Sequence, residues 1–270
     1  MNVYNYVLYN SGKLYLWSLA KLVESVRWQG LKPGLGHYHI LCSEQNKALF
    51  VVGQDIQFCE EFHEREFCYE RSFGVQEPLR FFTYVSEAGK TSYTNVTDWV
   101  DFLSGKLLVR FSIKLVYVNK STRKPIDLPE VFFRGLAEHL LLVKARPLTK
   151  VPPLLVPQKA FSRRIRVLHS DCDMNKHANQ ATYIKWCADA GTVAAYSGHL
   201  NGFHRNIDSY KVKQTKIQYL GESNVNDDVD VYVWTDERSF VFFAVKNDNK
   251  IVYQMELLFY HDDPKGKAKL

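Results

Sequence analysis

The 270-residue sequence contains no run of 18 consecutive apolar residues free of charge, so a membrane-spanning helix is not expected. Its first 20 residues lack the basic stretch and apolar run of a secretory signal, so an intracellular, soluble protein is expected. Cysteine is sparse. The five residues Cys42, Cys59, Cys68, Cys172 and Cys187 are odd in number and lack C-x-x-C spacing. That argues against both a disulfide framework and a zinc ribbon. No Gly-rich phosphate loop, zinc finger or aromatic RNA-binding motif occurs, so nucleic acid is not expected as a partner. Proline is scarce too, with 9 residues, and four of them fall between Lys144 and Pro157. Such a cluster fits neither a helix interior nor a central strand, and it divides the chain.

The abundant residues are aromatic. At 14% they favour a strand-rich core, within an ordinary globular composition of 46% hydrophobic and 24% charged residues. The formal net charge of +6 suits an acidic partner, such as a phosphorylated cofactor or an acidic carrier protein.

The second half opens with a β-type run, Phe161 to Leu168, then a polar loop from Ser170 to Asn179. A helix follows from Gln180 to about Ser197, with Tyr183, Trp186, Ala190 and Val193 forming one apolar face. Beyond it the period changes to two. Ser209–Leu220, Val229–Trp234, Ser239–Lys246 and Ile251–Tyr260 read as successive antiparallel strands. The first half follows the same order: a strand near Val3 to Tyr9, a helix from about Leu14 to Trp28, and β-type runs ending in Leu107–Asn119. Aligning Glu24 with Asp189 sets Asn10 opposite Asn175, and the segment beginning at Phe82 resembles that beginning at Val231. Two copies of one α+β unit are therefore expected, over residues 1–145 and 158–262, with 146–157 as linker and 263–270 as a flexible tail.

The chemistry concentrates in Asp171-Cys-Asp173-Met-Asn175-Lys-His177-Ala-Asn179, immediately before a helix whose first N–H groups can hold an oxyanion. Calcium is not expected there, because Lys176 and Thr182 stand where a calcium loop has Gly and Glu. His169, Asp171, Asp173 and His177 match no metal-ligand spacing, and neither metal nor cofactor is expected. Cys172 beside His177 raises a thiolate nucleophile, but alternation along an extended loop turns it away from the acids.

Arg166 to Ala190, with Asp-x-Asp-x-Asn-x-His-x-Asn and then Tyr183, resembles the active-site segment of hotdog-fold thioesterases, most closely the acyl-acyl-carrier-protein thioesterases. The resemblance implies two tandem hotdog domains, each a long helix wrapped by an antiparallel sheet, forming a pseudo-dimer within one chain. It implies catalysis in the C-terminal copy by Asp173, Asn175 and His177, with a further acid at Glu222 in Tyr219-Leu-Gly-Glu222-Ser223. Asn179, Tyr183, Trp186 and Arg166 are the expected substrate-binding residues. Lys106 to Pro129 resembles the last strand and exit of a hotdog domain. In the first copy Leu8 and Gly12 stand where Asp173 and His177 would be, so that copy is expected to be non-catalytic.

The expected activity is hydrolysis of a fatty or related acyl thioester of CoA or acyl carrier protein. Glu222 is the expected water-activating base, with Asp173 positioning and Asn175 and His177 orienting water and carbonyl. Enoyl-thioester hydration and non-catalytic acyl binding are the rival readings. Arg163, Arg164, Arg166, Lys211, Lys213 and Lys216 are candidates for docking CoA phosphates or the carrier. A homodimer of double-hotdog chains is a further expectation. The protein is expected in the cytoplasm or, if the source is a eukaryote, in the peroxisome, since Ala268-Lys269-Leu270 nearly matches a peroxisomal address.

Overall fold

The computed structural model describes residues 14–31, 41, 46–64, 80–140, 148, 152–173, 176–236 and 240–260. The expected first strand near Val3 to Tyr9, its loop with Leu8, Asn10 and Gly12, residue Asn175 and the C-terminal tripeptide lie outside them.

In the first half, helix α1 (Leu16–Leu31) precedes β1 (Lys47–Phe58), the short α2 (Glu60–Glu64), β2 (Arg80–Ala88), β3 (Ser92–Val100), β4 (Leu107–Asn119) and α3 (Glu130–Leu140). In the second half, β5 (Phe161–Arg166) leads to helix α4 (Gln180–Tyr196) and then β6 (Val212–Tyr219), β7 (Asp228–Thr235), β8 (Phe240–Asn247) and β9 (Lys250–Phe259).

Among the described residues the nine strands form one antiparallel sheet in the order β2-β3-β4-β1-β6-β9-β8-β7-β5. The order is a mirror: β1, β4, β3 and β2 on one side match β6, β9, β8 and β7 on the other. The seam is β1 against β6, running from Gly53↔Gln218 to Gln57↔Gln214. Together with a helix against each half, this is the α+β double hotdog in which one chain supplies both halves of a dimer-like sheet.

One hydrophobic core crosses the seam. Leu19, Leu22 and Val23 of α1 join Ile56 and Phe111 with Ala181, Ile184 and Ala190 of α4 and Val231, Phe243 and Met255 of the second half. A second cluster, with Tyr93, Ile113, Leu115 and Tyr117 under Phe132 and Leu136, seats α3 on the first half. Nearly every side of α4 is buried, because it lies inside the curve of the sheet. Gly191 allows that approach: a Cβ there would lie 3.1 Å from two ring carbons of Phe243.

The structure departs from the sequence reading at several boundaries. Val193, expected on the apolar face of the helix, is 38% exposed. The strand expected from Ser209 begins at Val212, because Asn206 caps a 3-10 turn at Ile207–Ser209 by accepting from the Asp208 N–H. β5 ends at Arg166 and Leu168 leads into another 3-10 turn. Part of the linker is docked: Gln254 donates to the Pro152 carbonyl at 3.0 Å and accepts from Leu154 N–H at 3.1 Å. Helix α3 was not anticipated, although Phe132 and Leu136 have helical spacing.

Candidate active site

The polar loop is a set of nested turns. Asp171 accepts from Leu168 N–H at 2.9 Å through its carboxylate, and its carbonyl accepts from Asn179 N–H at 2.9 Å and from the Thr182 hydroxyl at 3.0 Å. Asp171 therefore holds the loop to the helix. The chain then reverses: Lys176 N–H donates to the Asp173 carbonyl at 2.9 Å, and Asp173 N–H donates to that of His177 at 3.1 Å. Lys176 takes the left-handed conformation, φ 68°, that the reversal demands.

A second loop, after β6, lies against the first. Leu220 and Gly221 both donate to the Val252 carbonyl, at 2.8 and 2.9 Å. Ala178 N–H donates to Ser223 O at 2.8 Å, and His177 and Asn224 form a β-bridge. Asp227 closes this second loop by accepting from Asn224 N–H and from the Asn247 side chain, both at 2.7 Å.

These turns bring His177 and Glu222 together, 45 positions apart in the sequence. His177 Nε2 lies 3.8 Å from Glu222 Oε1, too far for a direct hydrogen bond. That nitrogen is buried and has no hydrogen-bond partner among the described residues. Nδ1 lies 3.5 Å from the Ala178 carbonyl. Because a carbonyl only accepts, this contact favours the tautomer with the proton on Nδ1, leaving Nε2 a lone pair directed toward the carboxylate.

Asp173 lines an open groove of about 320 Å³ with Lys21, Glu24 and Ser25 of α1 and Ser170, Cys172, Asn179 and Thr182. Burial, with Asp171 and Asp173 nearby, raises the Cys172 thiol, the reverse of what a thiolate nucleophile needs. Among the described residues no group of His, Cys, Asp and Glu comes together as a metal site.

Backbone donors at the start of α4 are largely committed. Ala178 N–H goes to Ser223 O, Asn179 N–H to Asp171 O, Ala181 N–H to the Asn179 side chain at 2.9 Å, and Thr182 N–H to Asn179 O at 2.9 Å. The Gln180 N–H has no such partner among the described residues. The side chain of Gln180 is held at the seam, accepting from Gln54 Nε2 at 2.7 Å. Tyr219 donates to the Gln180 carbonyl at 3.2 Å and accepts from Gln54 at 3.2 Å.

The residues expected to touch substrate have the following surroundings. Asn179 caps the helix and donates to Glu24 at 3.4 Å. Tyr183 and Trp186 are 2% and 4% exposed inside the core, where Tyr183 stacks on Tyr253 at 5.0 Å. Burial pushes the Tyr183 phenol up to about 12. Both face packed side chains. Arg166 sits on the edge strand with Asp228 at 2.7 Å and the Asn226 carbonyl at 3.0 Å. Of the other basic candidates, Arg164 pairs with Asp230, and Lys211 with Glu60 and Glu64.

Two residues not anticipated as site residues come from the first half. Arg123 Nη1 donates to Glu222 Oε1 at 2.8 Å. Its guanidinium lies 5.1 Å over the ring of Phe50, which meets His177 edge-on at 6.4 Å.

The matching family model, the acyl-ACP thioesterase C-terminal domain, covers residues 156–257 and so takes in both loops. Over these residues the chain is similar to that domain. The chain is 26% identical over 146 residues to an Arabidopsis thaliana protein named oleoyl-acyl carrier protein thioesterase 2, chloroplastic. This match takes in 49% of the chain and 36% of that protein. It is 28% identical over 149 residues to the palmitoyl-acyl carrier protein thioesterase of the same plant, covering 52% of the chain and 32% of that protein. The chain thus spans about a third of the length of these curated relatives.

Solved structures extend the likeness in fold to nearly the whole chain. The 12:0-ACP thioesterase from Umbellularia californica superposes with TM-score 0.73 at 13% identity, over 96% of this chain and 95% of that one. An acyl-ACP thioesterase from Bacteroides thetaiotaomicron gives 0.68 at 18% identity, over 94% and 93%. The double hotdog fold is common to them. Among the described residues no helix is long and apolar enough to cross a membrane. The plant relatives are named as chloroplastic, and no comparison supports the peroxisomal expectation.

Proposed function

We propose that the chain hydrolyses acyl thioesters, with an acyl-carrier-protein or CoA thiol as leaving group. The observation that carries this reading is the placement of His177 Nε2 opposite the Glu222 carboxylate, at 3.8 Å, beside the start of α4. Two acceptors facing one another in this way suit a water that donates one hydrogen to each. Its lone pair is then free to attack the thioester carbon. The Gln180 N–H, with the helix dipole behind it, is the donor available to the developing oxyanion.

Glu222 takes the water proton as the C–O bond forms. When the tetrahedral intermediate collapses, the C–S bond breaks and that proton returns to the departing thiolate, leaving a carboxylic acid and a free thiol. Asp173, which lines the groove, positions substrate, and Asn175 completes the motif. The first half, with Leu8 and Gly12 in place of the motif's acid and histidine, supports the site.

Purified protein incubated with acyl-CoAs and acyl-carrier proteins of graded chain length, with free thiol monitored, tests the proposal. Asp173→Asn, His177→Ala and Glu222→Gln are each expected to lower turnover by about 10²–10⁴. Thiol release that all three variants retain would reject this site. No release from any thioester, with water added across an enoyl thioester instead, would favour the hydratase reading.

A further inference from the structure

Glu222 receives a cation from the other half of the molecule, through a loop built to deliver it. Asn119 organises the turn after β4. Its carbonyl accepts from Arg123 N–H at 2.8 Å, and its side chain accepts from Ser121 and Thr122 N–H at 3.0 Å each. Asn119 N–H donates to Lys124 O at 3.0 Å. The turn is tied to the start of β1: Lys120 N–H donates to Asn46 O at 2.8 Å and the Ser121 hydroxyl to the Asn46 side chain at 2.7 Å.

Within this turn Arg123 itself adopts φ 56°, a left-handed conformation that a side-chain-bearing residue takes at a cost of about 1 kcal/mol or more. The guanidinium is steadied over Phe50, on the part of β1 that continues past the last seam pair, Gly53↔Gln218. From there it bonds Glu222 Oε1 at 2.8 Å, the same oxygen that faces His177.

We infer that Arg123 is a positioning residue for the proposed hydrolysis. It pins one oxygen of Glu222 and fixes the carboxylate against His177, so the working site is completed only by the first half of the chain. An exposed ion pair between flexible side chains is ordinarily worth little. Here both ends are held, one by the Asn119 turn and one by the two fused loops, so its effect falls on geometry. This inference rests on the thioesterase reading.

The test is steady-state kinetics of Arg123→Ala and Arg123→Lys, alone and combined with Glu222→Gln. Loss of a charge-assisted hydrogen bond that acts only through Glu222 predicts kcat lower by about 10- to 100-fold in Arg123→Ala with KM unchanged. Arg123→Lys recovers part of it. In the Glu222→Gln background Arg123→Ala has no further effect, which a merely structural role would not produce. Unchanged kcat, a rise confined to KM, or additive losses in the double variant would each overturn the inference while leaving the thioesterase reading intact. A wild-type chain that releases no thiol from any thioester overturns both.

Discussion

Ala178 donates its backbone N–H to the Ser223 carbonyl at 2.8 Å, and that bond fastens the loop bearing His177 to the loop bearing Glu222. Each of these two residues neighbours one of the side chains brought together, so the side chains inherit their separation from main-chain geometry. Backbone bonds of this kind position side chains more rigidly than side-chain contacts between flexible loops.

The same coupling makes Gly221 a sensitive position. A Cβ there would lie 2.9 Å from Cγ1 and 3.3 Å from Cβ of Val252, a β-branched residue with little freedom to turn aside. Gly221→Ala is expected to push the loop outward, with a stability loss of about 1–3 kcal/mol and a fall in kcat through Glu222. Val252→Ala in the same chain should restore much of both. Denaturant melts and thiol-release kinetics on the single and double variants check this, and an active, stable Gly221→Ala chain would refute it.

Asn179 separates a structural from a substrate-binding role. As helix cap, with its side chain accepting Ala181 N–H at 2.9 Å, it predicts that Asn179→Ala loses about 1 kcal/mol of stability. Asn179→Asp keeps the capping oxygen and should lose much less. A substrate contact alone would instead raise KM in both variants with unchanged melting temperature.

Far from the catalytic loops, Asp208 gives the fold a pH dependence. Removal from water, and next the Asp189 carboxylate, push its carboxyl from 3.8 to about 7. A raised acid binds its proton more tightly folded than unfolded. Its contribution is therefore full below about pH 4, is lost progressively as pH rises toward 7, and remains lost above. Because the residue is not fully buried, the loss is on the order of 1–2 kcal/mol, below the full linkage value. Asp208→Asn should flatten that part of the stability–pH curve and melt higher than wild type at pH 8. Parallel curves for the two proteins would rule the group out.

Much of this architecture is legible in residue order. The period-two runs locate β4 and β6 to β9 within a few residues, since each strand buries one face against a helix. The Asp-x-Asn-x-His spacing and Glu222 name the two loops that meet. Three things are not legible. Tyr183 and Trp186 follow the motif at helical spacing, and sequence cannot tell whether such rings line a groove or fill a core. Val193 has the right period, yet it lies where α4 reaches water. Arg123 and Phe50 reach the site only because β1 pairs with β6, a contact set by tertiary registry between residues more than 150 positions apart.

The oxyanion donor admits a single-atom test. Most N–H groups at the start of α4 already have acceptors, which leaves that of Gln180, the first helical residue. Proline is well tolerated at that position, and Asn179 before it already has the extended geometry proline requires, φ −63° and ψ 148°. Gln180→Pro should therefore fold while deleting the donor. It also removes the side-chain bond to Gln54, so Gln180→Ala, which loses that bond and keeps the N–H, is the reference. Relative to Gln180→Ala, Gln180→Pro is expected to lower kcat by about 10²–10³, the usual consequence of losing one oxyanion donor. If the two variants turn over alike while retaining the wild-type circular dichroism, the oxyanion is held elsewhere, and the helix start serves only to fix the loop.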